Sequence, residues 1–508
     1  MNTHILLISQ DVMGKRMAGP GIRYFHMARV LSQHFLVTVA VTFSVDAQIE
    51  SDLAYLQEQL PNADLLPYQP GDWTQIMLAA DSAQVLILAS DLAAMLPGLA
   101  DHPAALVIDG YDPLLAEWLA MEVPRQPPGL MDLWRLRMKQ IQPQYTVGDY
   151  FICASERQRD WWIGLLEANG RLNPWTFGQD PSLRSLVDVV SYGLPDGDPQ
   201  YTRPVIKGVW PGIKPSDKLV LWGGGLWRWL DPLTAIQAIA LVGKSRSDVR
   251  LVFPGTKHPN PILTDMPTFN EEAKALADEL GLLDKIVFFG DWIAYTDWEN
   301  VLLEADLGLS LHFDSLETHL ANRSRTLEFI WAGLPVVTTG LETTSELISK
   351  EQLGIIVPVG DVDSVAEAIH AILASGERIQ ESSLRKVKET YRWEQALLPL
   401  IRFCDNPKKA SDRQLMGSEL GNPAHVGIAP ELERWKQHAA NLIIVRDDLI
   451  QSYAKLNFER DKLAEQVEEY KSGRFIKVMA SLDRVKRRLI NRDSGQDIAE
   501  RPSSNLEQ

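Results

Sequence analysis

Lys218-Leu219-Val220-Leu221-Trp222-Gly223-Gly224-Gly225-Leu226-Trp227-Arg228-Trp229-Leu230-Asp231-Pro232 is the stretch whose reading decides the fold. A short apolar run breaks into three glycines, and an Asp-Pro pair follows. Asp is a favoured helix N-cap, and Pro is favoured in the first turn, where its missing N–H costs nothing. The segment therefore reads strand, glycine turn, helix. Gly223, Gly224 and Gly225 let the backbone approach an anion closely, and a nearby helix N-terminus offers free N–H groups to a phosphate. A tight structural turn is the plain alternative reading.

Working outward, the same alternation recurs on both sides. Before this stretch, Ile5 to Ser9, Phe35 to Val41, Gln84 to Leu88, Ala105 to Asp109 and Tyr150 to Ala154 are strand candidates. They are rich in Val, Ile and Leu and nearly continuous, as parallel strands buried on both faces are. A helix is expected over Gly21 to Gln33. Val187 to Ser191 then leads into Gly193-Leu194-Pro195-Asp196-Gly197-Asp198-Pro199, a turn-rich break suited to a hinge. After it, strands are expected at Leu219 to Trp222, Arg250 to Phe253, Ile286 to Phe289, Leu307 to Leu311, Val336 to Thr338 and Gly354 to Val357. Two successive doubly wound α/β domains imply a cleft between them, beyond the carboxyl ends of the strands.

The expected layout is an N-terminal Rossmann-like domain over 1–190, a second over 191–404 with a closing helix, and a linker over 405–430. Ser382 to Phe403 reads as that helix, bent at Pro399. Residues 431–492 are expected to form a coiled coil and a basic amphipathic helix, and 493–508 a disordered tail. Leu442, Leu449, Leu456 and Leu463 recur every seven residues, with Ala439, Tyr453 and Val467 at the second seam position and Arg446 and Arg460 interrupting it. A homo-oligomer through this seam and a single exposed helix are both compatible with the pattern. Further on, Lys471, Arg474, Lys477, Arg484, Lys486, Arg487, Arg488 and Arg492 interleave with Phe475, Ile476, Met479, Leu482, Val485 and Leu489. Such a helix suits peripheral contact with an anionic membrane; a solvated or partner-binding helix is the other reading.

Composition bounds the rest. The chain has 508 residues, 45% of them apolar and 23% charged, with a formal net charge of −17. That length exceeds one core, and that charge argues against nucleic acid as a partner. Two cysteines, Cys153 and Cys404, make no disulfide framework or metal cluster, which fits a reducing cytoplasm. No stretch reaches the ~20 apolar residues needed to cross a bilayer. The expected location is cytoplasmic, with peripheral contact at the inner face of the membrane.

Two further segments carry chemistry. Gly19-Pro20-Gly21-Ile22-Arg23 opens a helix after the first strand. It reads either as a helix-entry loop with Arg23 at the surface, or as a loop facing the cleft, where Arg23 meets a phosphate or an acceptor. Glu317-Thr318-His319-Leu320-Ala321-Asn322-Arg323-Ser324-Arg325-Thr326-Leu327-Glu328 is a polar loop before an apolar helix that Gly333 and Pro335 terminate. Arginine suits bidentate pairing with phosphate, and a carboxylate suits paired hydroxyls.

With those residues in view, the stretch from about 187 to 375 resembles retaining glycosyltransferases of the GT-B fold, family 4, the glycosyl transferases group 1. Trp331-Ala332-Gly333-Leu334-Pro335-Val336-Val337 and Thr344-Ser345-Glu346-Leu347-Ile348 look like two of that family's motifs. The resemblance implies a metal-independent, hexosyltransferase-like enzyme. It would take a nucleotide-diphosphate sugar as co-substrate in the 191–404 domain, without another cofactor, and pass the sugar with retention to a hydroxyl of a carbohydrate or lipid-linked acceptor held by the 1–190 domain. The setting implied is surface polysaccharide or glycolipid synthesis. Glu328 matches the carboxylate that typically holds the ribose. The family's preceding carboxylate falls at Leu320, so Glu317 or His319 would have to replace it. The family's Arg and Lys after the glycine turn are missing too, leaving Arg228, Lys257, Arg323 and Arg325 as replacements, Arg325 foremost. Asp109 stands where the family often has a histidine.

The expected catalytic set is Asp109, Arg325 and Glu317. The donor-binding set is Gly19, Gly21, Arg23, Gly223, Gly224, Gly225, Arg228, Lys257, Arg323, Glu328, Ser345 and Glu346, with no metal ligand. Asp112 is read either as orienting the acceptor or as a helix cap. The Asp-x-Asp matches at Asp196/Asp198 and Asp361/Asp363 are read as a turn and a cap. The alternative function is a non-catalytic scaffold of the same shell acting through its coiled coil. An epimerase or phosphorylase is a third class, without a pyridoxal-lysine signature near the glycine turn to support it.

Overall fold

Valine, isoleucine and leucine dominate most of the thirteen strands among the described residues, and in the central strands their side chains are shielded on both faces. The computed structural model describes residues 3–43, 49–96, 98–260, 263, 266–413 and 429–493. The first lobe contains β1 (His4–Val12), β2 (Leu36–Thr42), β3 (Ala63–Pro67), β4 (Val85–Ala89), β5 (Ala105–Asp109), β6 (Tyr150–Cys153) and β7 (Val187–Val189). The second contains β8 (Lys218–Trp222), β9 (Val249–Pro254), β10 (Val287–Gly290), β11 (Leu307–Ser310), β12 (Val336–Thr339) and β13 (Gly354–Val357). The sheet orders are β3-β2-β1-β4-β5-β6-β7 and β10-β9-β8-β11-β12-β13, and every pairing is parallel.

In each sheet the order reverses beside the first strand, between β1 and β4 and between β8 and β11. Ligands of open α/β sheets bind at such switch points. The Gly19–Leu31 helix leaves the end of β1, and the glycine triplet leaves the end of β8. Both loops therefore open toward one gap.

The expected alternation holds, with two corrections. β3 escapes a pattern search because it is an edge strand, half-buried, containing Asp64 and ending on Pro67. The continuous closing helix is replaced by helices over Glu381–Thr390, Trp393–Ala396 and Leu398–Asp405. The break comes at Tyr391–Arg392, where the backbone pairs with Leu194 instead: Leu194 N–H donates to Tyr391 O at 2.6 Å. Pro399 sits in the first turn of the last helix, where it costs nothing.

The break places Trp393, fully buried, flat against His26 of the first lobe, with ring centroids 5.1 Å apart. Phe403 stacks on Tyr150 at 4.5 Å. Residues 405–413, the start of the expected linker, are pinned to the first lobe. There Arg171 grips Asp412 through bonds of 2.8 and 3.0 Å, both side chains buried. The remainder of that linker, 414–428, and the expected tail beyond residue 493 lie outside the described residues.

Met1–Leu415 form one compact unit and Met416–Gln508 another. The second unit contains helices over Ala429–Ser472 and Arg474–Asp493. No helix among the described residues is long and apolar enough to cross a membrane.

Candidate functional site

The two lobes are held together by named bonds around a cleft of about 1090 Å3. Gln158 of the first lobe donates to the carbonyls of Tyr111 and Leu320, both at 2.8 Å, bridging the lobes. Tyr111 Oη donates to Asn322 O at 3.1 Å, and Asn260 Nδ2 donates to Asp11 Oδ1 at 2.8 Å. Gly19 comes so close to the second lobe that a Cβ there would lie 3.2 Å from Ser324 Oγ.

From the second lobe the cleft receives Gly223, Gly224, Gly225, Trp227, Trp229, His258, Trp292, Glu317, Arg323, Ser324 and Arg325. Gly224 has a φ of +113°, a conformation side-chain-bearing residues avoid, so the triplet's turn depends on glycine at this position. The next helix, Pro232–Gly243, is capped as expected, with Asp231 accepting from Thr234 N–H at 3.0 Å. That cap occupies one of the helix's leading N–H groups, and no residue of Pro232–Gly243 lines the cleft, which counts against the phosphate reading there.

A different helix supplies the open N-terminus. The eight-residue Ser324–Trp331 helix has no side-chain cap and no acid in its first turn, and its leading residues Ser324 and Arg325 line the cleft. An anion there gains from the exposed N–H groups and from the helix dipole.

Arg325 lies over the Trp298 ring at 4.5 Å and donates through Nη1 to Glu328 Oε2 at 2.6 Å. A guanidinium carries five N–H donors, so this cleft-lining side chain has the capacity to meet an anion as well as Glu328. Glu328 is buried and also accepts from Tyr192 Oη at 2.9 Å and Trp298 Nε1 at 2.7 Å. Glu328 thus orients Arg325 and does not itself line the cleft. Arg323 meets the buried Glu317 through two bonds, 2.9 and 2.7 Å.

The other expected site residues disperse. Arg23 is fully buried, so it is neither a surface charge nor a wall of the cleft. It binds both oxygens of Asp109 at 2.8 and 3.0 Å and donates to Val190 O at 2.9 Å. Asp109 is spent in that pair. Gly21 serves the same packing, since a Cβ there would sit 2.2 Å from Val12 O.

Arg228 lies over Phe269 and pairs with Glu272, and Lys257 lines a neighbouring cavity with His258 and Trp292. Ser345 donates to Glu342 O at 2.6 Å, and Glu346 pairs with Arg157 at 2.5 Å; neither reaches the cleft. Asp361 caps its helix, accepting from Ser364 N–H at 3.0 Å, and Asp198 pairs with Lys388. Among the described residues no group of three or more His, Cys, Asp or Glu is arranged to hold a metal.

The first lobe contributes carboxylates that the sequence did not single out together. Asp11, Asp112 and Glu117 all line the cleft. Asp112 is not a cap: the Leu114–Arg125 helix begins without a side-chain cap bond. Desolvation, then Asp109 and Asp91, pushes the Asp112 carboxyl up to about 7, and desolvation with Asp112 and Glu317 raises Glu117 well above the usual range. Trp227, Trp229 and Trp292 were also missed, since an isolated Trp signals core as readily as cleft. The Trp227-x-Trp229 pair just after the glycines was the available clue.

Residues 217–375, the sheet-forming body of the second lobe, match the family described as glycosyl transferases group 1. Among solved structures, sucrose-phosphate synthase from Thermosynechococcus elongatus aligns with a TM-score of 0.54 at 14% identity, covering 82% of this chain and 100% of its own. Anabaena Alr3699/HepE in complex with UDP-glucose aligns at 0.56 and 15%, covering 79% and 99%. WaaG, a glycosyltransferase involved in lipopolysaccharide biosynthesis, aligns at 0.52 and 17%, covering 79% and 98%. These likenesses fix the fold as GT-B, two Rossmann-like lobes facing a cleft. A comparison with curated protein sequences finds no match.

Proposed function

We propose that the chain is a glycosyltransferase that takes a sugar from a nucleoside-diphosphate donor and passes it to an acceptor hydroxyl. The observation that carries this reading is the convergence of Arg325, the open N-terminus of its helix and the Gly223–Gly225 turn on one cleft. The leaving group develops negative charge on its diphosphate, and pre-placed N–H donors stabilise that charge without reorganising. The match of the second lobe to group 1 transferases supports the same assignment of donor to that lobe. Retention at the anomeric carbon, independence of metal and a role in polysaccharide or glycolipid synthesis are parts of the proposal. The test is a thermal-shift and donor-hydrolysis panel of UDP-, GDP- and ADP-sugars. Stabilisation and turnover with one base are expected, and indifference to all three would reject the reading.

A second reading has its own observation. Both arginines are already engaged by carboxylates, Arg323 by Glu317 and Arg325 by Glu328, which favours a shell that binds without turning over. A nucleotide sugar that stabilises the protein but is never consumed, with any acceptor, would select it.

For the second unit we propose self-association through the Leu449, Leu456 and Leu463 seam and contact of the following helix with an anionic bilayer. Those leucines are exposed on the single chain, as are Ile476, Met479, Leu482, Val485 and Leu489. The helix that carries those leucines ends at Ser472, so the seven-residue seam does not run on into Arg474–Asp493. That second helix carries seven basic and two acidic residues within an acidic chain, a balance suited to anionic headgroups.

A further inference from the structure

The cleft has two chemically different walls. Arg323 and Arg325 sit on the second lobe, whereas Asp11, Asp112 and Glu117 sit on the first. Asp11 is almost wholly buried. Its Oδ1 accepts from Val12 N–H and Asn260 Nδ2, both at 2.8 Å, while its buried Oδ2 has no partner. A buried carboxylate oxygen without a donor is costly, and a ligand that brings a donor relieves it.

The surroundings of Asp112 are dominated by other carboxylates, Asp109, Asp91 and Asp11, opposed by Arg23, which Asp109 already grips. Around Glu117 stand Asp112 and Glu317, opposed by Arg137 and by Arg323, which Glu317 already grips.

Aromatic faces border the same space. Trp227 and Trp229 stack with centroids 5.4 Å apart, and His258 bridges Trp227 to Trp292 at 5.5 and 5.2 Å. All four line the cleft. Desolvation holds His258 below its usual range, and its Nδ1 accepts from Asn260 N–H, so it adds no cation there. Apolar faces beside fixed acceptors suit a sugar ring, which presents C–H faces and a rim of O–H donors.

We propose that this acidic wall sets the charge preference of the acceptor: it takes a ring rich in hydroxyl or ammonium donors and rejects one that carries negative charge. The proposal rests on the transferase reading only in calling the ligand an acceptor. Its charge preference follows from the wall itself: an anionic substituent meets the acidic side chains of Asp11, Asp112 and Glu117, whereas an O–H or N–H⁺ supplies the donor that Asp11 Oδ2 lacks.

The test uses the full-length chain with UDP present at pH 8. Ligand-detected NMR titrates the methyl glycosides of glucose, galactose and mannose, their 2-amino analogues and their 6-phosphates. At least one neutral or amino ring should bind, with its 6-phosphate weaker by about tenfold or more, equivalent to one pKa unit of interaction. Equal binding of the phosphorylated ring, or no binding by any neutral or amino ring, overturns the proposal.

Asp112→Asn combined with Glu117→Gln should bring the phosphorylated ring close to parity with the neutral one; an unchanged preference overturns it too. Asp112→Asn alone, checked by its melting curve, serves if the double variant does not fold, and should narrow the gap in the same direction. UDP affinity is measured in the same samples. Loss of UDP binding would count against the donor reading and leave the charge preference to stand on its own titration.

Discussion

Arg325 and Glu328 stand one helical turn apart, joined at 2.6 Å, and it is the arginine of the two that borders the cleft. Three donors, from Tyr192, Trp298 and Arg325, converge on the Glu328 carboxylate, which therefore works as a fixed anchor for the guanidinium. An arginine held in this way loses little freedom when an anion arrives.

Replacing Arg325 by Ala should lower kcat by roughly a hundredfold to a thousandfold, the effect of losing one oxyanion donor of about 3–4 kcal/mol. Arg325→Lys should recover only part, because an ammonium cannot both bond Glu328 and present a planar fork to the cleft. Turnover with saturating donor is the measurement, and near-parent rates for the Ala variant would remove Arg325 from the site.

Asp109 should matter through stability. With Arg23 buried against it, Asp109→Ala leaves an unpaired guanidinium and should cost about 3–5 kcal/mol in denaturant unfolding. Exchanging both members for apolar residues of similar size should recover much of that loss. If Asp109→Ala kept full stability and lost only activity, the pair would have to be read as catalytic.

The Asp112 carboxyl gives a pH signature. Its folded pKa of about 7 lies above the ordinary 3.8, so its stabilising contribution is present while it is protonated. That contribution is complete below the ordinary value and is lost as pH rises from there through 7. Asp112→Asn should therefore melt above the parent at pH 8, by on the order of 1–2 kcal/mol after allowing for partial solvation. The gap should close steadily toward pH 4. Glu117 titrates beside it, so the comparison is cleanest in an E117Q background. A constant gap across this range would show that Asp112 holds no such shift.

In the second unit, Leu456→Glu with Leu463→Glu should shift the mass in light scattering to that of a single chain if the seam pairs copies. Leu482→Glu with Val485→Glu should leave that mass unchanged and abolish co-sedimentation with vesicles of mixed phosphatidylglycerol and phosphatidylcholine. Retention on purely zwitterionic vesicles by the parent would contradict the electrostatic part.

Much of the fold was legible because parallel strands buried on both faces need unbroken apolar runs, and Leu219 to Trp222 or Ala105 to Asp109 carry that signal locally. Glycine turns and the Asp231 cap are equally local. β3 was not legible, because an edge strand is satisfied with one covered side and half-polar residues. The break at Tyr391–Arg392 was not legible either, since its cause, Leu194, is far away in sequence.

The sequence by itself determined two doubly wound lobes and the residue types that gather between them, because periodicity and turn chemistry act over a few neighbours. Only the tertiary structure decided which charges were spent. Arg23 and Asp109, 86 positions apart, neutralise each other in the interior, while Arg325, Asp11, Asp112 and Glu117 reach the cleft. The physical reason is that an ionised side chain is defined by its partner and its solvent. Both are supplied by segments that meet only after the chain has folded.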